Sequence, residues 1–236
     1  MNTFLFDLDG TLLPMDVKLF EKLYFHGLSK TFSDIIDPKG LISLIWASTE
    51  TMVANTENRT NEDVFMDDLS KRINVDLAVY QERFDRYYET DYHNVRESIK
   101  EIQAMKDSIK LLKNKGYKLV VATNPLFPRS AIYTRIQWAG FEPEEFDYIS
   151  SFEKNHYCKP QIKYYEEVLK DINKSPEECI MVGNDVQEDL IIRNLGVKTY
   201  LITDNLLHRS DEEIVSDYKG SYEDFYKFIQ TLPNAQ

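Results

Sequence analysis

Phe4-Leu5-Phe6-Asp7-Leu8-Asp9-Gly10-Thr11 is the stretch from which the rest of the chain is read. Three apolar residues run directly into two carboxylates and a glycine, the pattern of a short buried strand that opens into a polar loop. From residue 16 to about 92 no comparable strand follows. Helical spacing takes over instead: Leu19, Phe20, Leu23 and Tyr24; Leu41, Ile42, Ile45 and Met52; Phe65 and Leu69; Leu77, Tyr80, Phe84 and Tyr87. This predicts four successive helices. Asp37-Pro38 supplies an N-cap and a first-turn proline, and Thr60 followed by Asp63 reads as a capping box.

After about residue 95 helix and strand alternate. Ile99, Ile102, Met105, Ile109 and Leu112 predict an amphipathic helix ending at Gly116, followed by the apolar run 118–125. A helix over 129–139 leads to a strand at 146–150. A third helix, carrying Tyr164, Tyr165, Val168 and Leu169, leads to a strand at 179–185, and a fourth ends near Gly196 before a strand at 199–203. Five apolar strands separated by helices imply an α/β fold with a doubly wound, Rossmann-like parallel sheet. The first strand belongs to that sheet although some 90 residues intervene. The expected organisation is therefore a Rossmann-like core of 1–15 and 93–236, with an all-helical cap, 16–92, inserted after the first strand.

The 236 residues carry 28 Lys and Arg against 40 Asp and Glu, a formal charge of −12, and 42% are apolar. Acidity of this kind argues against bulk affinity for nucleic acid or an anionic membrane surface. The longest apolar run, 41–47, is far too short to span a bilayer, and Asp7 and Asp9 fall where a secretory signal needs apolar residues. A cytoplasmic location is expected. Cys158 and Cys179 cannot form a disulfide framework or a four-ligand zinc site, and both read as structural.

In open α/β sheets ligands bind beyond the carboxyl ends of the strands. The residues just past each predicted strand are Asp7 and Asp9, then Thr123 and Asn124, then a loop holding Lys159, then Asp185 and Asp189. Paired carboxylates from two strands, a hydroxyl and a lone ammonium suit a hard divalent cation and an anion held together.

These residues resemble the haloacid dehalogenase superfamily, in particular its phosphatases with a helical cap after the first strand. Residues 4–11 are similar to its first motif, Thr123 to its second, Lys159-Pro160 to its lysine motif and Gly183 to Asp189 to its acidic motif. The resemblance implies an Mg²⁺-dependent phosphatase acting on a small phosphorylated metabolite. Asp7 would be the nucleophile, forming an aspartyl-phosphate, and Asp9 the general acid and base. Asp7, the Asp9 carbonyl and Asp185 would hold Mg²⁺; Thr123, Asn124 and Lys159 would bind the phosphoryl group; Asp189 would orient Lys159 or a metal-bound water. Two positions depart from the family pattern. Asn184 separates Gly183 from the first acidic residue, and Pro125 stands where glycine is common, removing one N–H donor.

Alternatives within the fold are a phosphomutase and, disfavoured by Asp9 and the metal carboxylates, a dehalogenase. From another class, a catalytically silent protein could bind a phosphorylated ligand. His26, His93 and His208 lack metal-ligand spacing, and His156 reads as a solvent-facing loop residue. The cap aromatics Phe20, Tyr24, Trp46, Phe65, Phe84 and Tyr87 recur at helical spacing and read mainly as core. Motion of the cap is expected about linkers at 12–16 and 92–97. Oligomeric state and the identity of the substrate stay open.

Overall fold

The computed structural model describes residues 1–235. Strand β1 (Thr3–Phe6) is followed by four helices, α1 (Val17–Thr31), α2 (Pro38–Val53), α3 (Asn61–Arg72) and α4 (Leu77–Glu89), and by a 3-10 segment, Asp91–Ser98. Then come α5 (Gln103–Asn114), β2 (Lys118–Val121), α6 (Arg129–Trp138), β3 (Tyr148–Ile149), α7 (Ile162–Asp171), β4 (Cys179–Gly183), β5 (Lys198–Ile202), β6 (Tyr218–Gly220) and α8 (Tyr222–Thr231). The sheet order is β3-β2-β1-β4-β5-β6, with every pairing parallel. The architecture is the doubly wound sheet with a helical cap.

Alternation along the central strand builds two cores. Phe4 and Phe6 face Phe225 of α8 with Ile109 of α5, while Leu5 points to the other face among Tyr164, Tyr165 and Val168 of α7. Both faces being covered explains why β1, β2 and β4 read as continuous apolar runs.

Three details differ from the sequence reading. A sixth strand, β6, extends the edge; its residues Tyr-Lys-Gly are largely exposed and carry no apolar signal. The helix placed before β5 is a 3-10 turn, Leu190–Leu195, too short for a 3.6-residue repeat to show. Ile99 precedes α5 instead of starting it, because it pairs with Met15 in an isolated antiparallel bridge. That bridge continues in Asp16 N–H to Ser98 O at 2.9 Å and Lys100 N–H to Pro14 O at 2.8 Å. The two chain crossings between cap and core are thus zipped to each other.

Helix starts follow the side-chain caps. Asp16 accepts from Leu19 N–H, Asp37 from Lys39 and Gly40, and Thr60 from Asp63. At its far end the cap is bonded to the core. Asn61 N–H donates to Asn155 O (2.8 Å), Glu62 N–H to Phe152 O (3.1 Å), and the Asn61 amide reaches Pro125 O at 3.3 Å.

Candidate active site

Because β1 and β4 are adjacent and in register, Asp7 leaves the sheet beside Gly183, with Asp185 two residues further along the loop after β4, and Asp7 N–H donates to Val182 O at 2.9 Å. Two glycines make the closeness possible. Gly10 has φ +89°, and a Cβ there would lie 2.5 Å from the Asn184 amide nitrogen; at Gly183 it would lie 2.1 Å from an Asp189 carboxylate oxygen. Asn184 ties neighbouring loops together, since its Oδ1 accepts from Thr11 Oγ at 2.8 Å and its amide donates to Asn205 O at 2.8 Å. The loop after β1 is held further by Tyr222, whose hydroxyl donates to Gly10 O at 2.7 Å.

Lys159, 1% exposed, lies between two carboxylates, with Nζ 2.9 Å from Asp7 and 2.7 Å from Asp189. Burial alone would push its ammonium down, but Asp189 and Asp7 outweigh it and hold it charged. One ammonium shared by two carboxylates leaves Asp7 short of neutralisation. Burial raises Asp7 well above the usual carboxylate range, against the pull of Lys159. Asp189 also accepts Asp185 N–H at 2.9 Å, so it ties the lysine to the loop after β4.

Asp9 faces a partner that the sequence reading missed. Arg135 of α6 is fully buried, donates to Asp9 Oδ2 at 2.5 Å and lies over the Phe127 ring at 4.3 Å. Asp9 Oδ1 is enclosed with no hydrogen-bond partner among the described residues, as are Nε and Nη2 of Arg135. Burial raises the Asp9 carboxyl above its ordinary value even against Arg135. Sequence carried one signal for this residue: it lies on the apolar stripe of α6 with Ala131, Ile132 and Ile136.

Thr123 is 3% exposed, lines the cavity and makes no side-chain hydrogen bond among the described residues. The Asn124 side chain is engaged elsewhere, accepting Lys159 N–H at 3.1 Å and donating to Glu188 at 3.1 Å. What Asn124 leaves unengaged is its backbone N–H, which, like that of Asp9, donates no hydrogen bond among the described residues. His156 contacts Glu167 at 2.5 Å, and the two cysteines are buried and free.

For a divalent cation, no group of three or more His, Cys, Asp or Glu side chains is gathered among the described residues. The set on offer is two carboxylates, Asp7 and Asp185, plus the Asp9 carbonyl, which accepts no hydrogen bond among the described residues. Mg²⁺ keeps several waters and needs only one or two carboxylates, so this donor set fits it. Asp185 is pushed up to about 6, by burial first and then by the charges of Glu188 and Asp189, and its Oδ2 contacts Arg209. Excess negative charge at both strand ends is the condition a hard cation relieves.

A cavity of about 760 Å³ opens above these groups, between cap and core. Of the six cap aromatics read mainly as core, five line it (Phe20, Tyr24, Trp46, Phe65 and Phe84), and only Tyr87 does not. Phe20, Tyr24, Phe65 and Phe84 are at the same time buried members of the core, with Phe20 and Tyr24 against Phe127 and Phe65 against Phe152, so one stripe both packs and lines, and Trp46 alone of the five is exposed.

No helix among the described residues is long and apolar enough to cross a membrane. Over 210 residues the chain is 24% identical to pyrophosphatase PpaX of Bacillus cereus, covering 89% of this chain and 87% of that one. Among solved structures it is similar to a HAD phosphatase of Thermococcus onnurineus (17% identity, TM-score 0.63, covering 99% of this chain and 100% of the other). It is likewise similar to a 2-haloacid dehalogenase of Pseudomonas syringae pv. Tomato (15% identity, TM-score 0.64, covering 98% and 99%). The fold is thus shared by enzymes of two chemistries and does not choose between them. Residues 4–202 match the family of haloacid dehalogenase-like hydrolases, and the chain belongs to that family.

Proposed function

We propose that the chain is an Mg²⁺-dependent phosphatase that hydrolyses a small phosphate monoester through an aspartyl-phosphate on Asp7. The observation that carries this reading is Asp9: a carboxyl two residues past the nucleophile, with one oxygen held by Arg135 and the other enclosed without a partner among the described residues. Its raised pKa suits a group that must carry a proton and release it. Displacing halide from carbon needs no such acid.

An Asp7 carboxylate oxygen attacks phosphorus as the ester P–O bond breaks, and Asp9 gives its proton to the departing alkoxide. Asp9, now ionised, takes a proton from water as that water attacks the phosphoryl group and releases Asp7. Lys159, the Thr123 hydroxyl and the N–H groups of Asp9 and Asn124 stabilise the charge on the phosphoryl oxygens. Mg²⁺ bound at Asp7, the Asp9 carbonyl and Asp185 supplies the positive charge that lets one anion approach another.

In this proposal the chemistry belongs to 1–15 and 93–236, and the cap, 16–92, moves as a unit about the zipped crossings, shutting water out and admitting it in turn. The working partner is a phosphorylated metabolite of the cytosol, with neither nucleic acid nor membrane engaged. The test is turnover of a chromogenic aryl phosphate by the purified chain with Mg²⁺, lost with EDTA and restored by excess Mg²⁺. Absence of phosphate release from that ester and from a broad ester panel would overturn the reading.

A further inference from the structure

Each cation beside the reacting groups already has an anionic partner. Lys159 is held by Asp7 and Asp189, Arg135 by Asp9, and Arg209 by Asp185 and Glu188. Arg209 is also the only lysine or arginine lining the cavity among the described residues. Beyond the strand ends the lining is aromatic and apolar, and the charges on it are Glu21, Glu62, Asp85 and Glu153. None of these four forms a salt bridge among the described residues; Glu153 accepts only the Arg129 backbone N–H. Trp46, 48% exposed, presents its ring to this space.

We propose, resting on the phosphatase reading, that this chamber selects a phosphate monoester whose alcohol has an apolar, ring-sized body and bears no second anionic group. An apolar body gains from leaving water against the aromatic walls. A second carboxylate or phosphate would enter a space whose walls carry four acids without salt bridges, Glu62 and Glu153 half-buried and Glu21 and Asp85 exposed, and no unengaged cation, so like charge opposes it. Glu62 already shows the strain of that field: burial, then Glu153, Asp63 and Asp85, raise its carboxyl. The selection runs against pyrophosphate, the substrate in the Bacillus relative's name. An ammonium at the far end of the alcohol meets the acids favourably.

Three aryl phosphates with one phenol core test this: tyramine O-phosphate, 4-ethylphenyl phosphate and 3-(4-phosphonooxyphenyl)propanoate, with pyrophosphate as a fourth arm. At fixed free Mg²⁺ and low salt, kcat/KM is expected to be at least as high for the ammonium compound as for the neutral one. Both should exceed the carboxylate by about tenfold or more, and that ratio should shrink severalfold at high salt as the chamber's charges are screened. Glu62→Gln should narrow the neutral-to-carboxylate ratio about threefold; Asp85→Asn, at an exposed position, tests the same field should Glu62→Gln fail to fold. Equal kcat/KM across the three aryl esters, or preference for the carboxylate or for pyrophosphate, overturns the proposal while leaving the phosphatase reading intact. If no compound is hydrolysed and the broad ester panel is silent too, the phosphatase reading falls. Binding of the same compounds, read from Trp46 fluorescence, then still decides selection by the same ranking.

Discussion

At Asp9 two demands meet in one carboxyl: Arg135 favours its ionised form, and burial favours its neutral form. Asp9→Asn keeps the backbone carbonyl and the shape but cannot transfer a proton, so kcat on an alkyl phosphate should fall by about 10²–10⁴. A near-parental rate on that poor leaving group would remove Asp9 from the chemistry. Arg135→Met keeps the bulk against Phe127 and leaves the Asp9 carboxyl, half-buried with its side chain 31% exposed, without its cation, which should cost about 1–3 kcal/mol at neutral pH. The sign with pH follows from linkage. The folded Asp9 pKa is raised, and losing Arg135 raises it further, so the ionised form is more disfavoured in the folded than in the unfolded chain. Both proteins share the same unfolded pKa, so stability of the variant relative to the parent should fall as pH rises through the parent's own raised Asp9 pKa. Thermal melts at pH 4.5 and pH 8 check this, and a Tm difference that is larger at pH 4.5 would show that Arg135 does not hold the Asp9 charge.

At the level of elements, the loop after β4 is shaped by what Gly183 leaves open. Gly183→Ala puts a methyl on top of the Asp189 side chain, so that carboxylate must leave its place between Lys159 and Asp185 N–H. The expected result is a loss of about 1–3 kcal/mol in stability and at least tenfold in kcat/KM. Parental kcat/KM in a folded Gly183→Ala protein would mean that Asp189 is dispensable where it stands. The strands that carry Asp7, Thr123 and Asp185 were legible because both faces of the sheet are covered, which makes them unbroken apolar runs ending in polar residues. Strand β6 was not, since an exposed edge of three residues imposes no hydrophobic pattern. Arg135 escaped for the opposite reason: it sits on a buried stripe, where a charge makes sense only once its partner, 126 residues earlier, is known. Cap aromatics were legible as core, which Phe20, Tyr24, Phe65, Phe84 and Tyr87 are, but not as cavity lining, because a ring can pack on one side and face the cavity on the other without any change in periodicity.

Across the whole molecule, cap and core are joined by the zipped crossings at one side and, at the other, by the bonds of Asn61 and Glu62 together with those of Gln161 to Val53 O and Asn55 O, Asn55 to His156 O and Lys163 to Thr56 O. Asn61→Ala removes the amide that reaches Pro125 O while keeping the backbone bonds, so it should loosen the free side by about 1–2 kcal/mol. Amide hydrogen exchange at Asn61 and Glu62 should then quicken by roughly five- to thirty-fold, with α5 and β2 unchanged. Unaltered exchange at those two amides would mean the side chain is not what keeps the cavity shut.

The hydrogen bond from Tyr222 to Gly10 spans 212 residues of sequence. Asp7 leaves the ribosome long before Tyr222 does, yet the loop that aims it is pinned by Asn184, then Asn205, then Tyr222. A nascent chain therefore carries Asp7, the proposed nucleophile, through most of its synthesis in an unfinished setting. The carboxylate proposed to react is thus made early, while the bonds that set its loop close only when the last helix is in place.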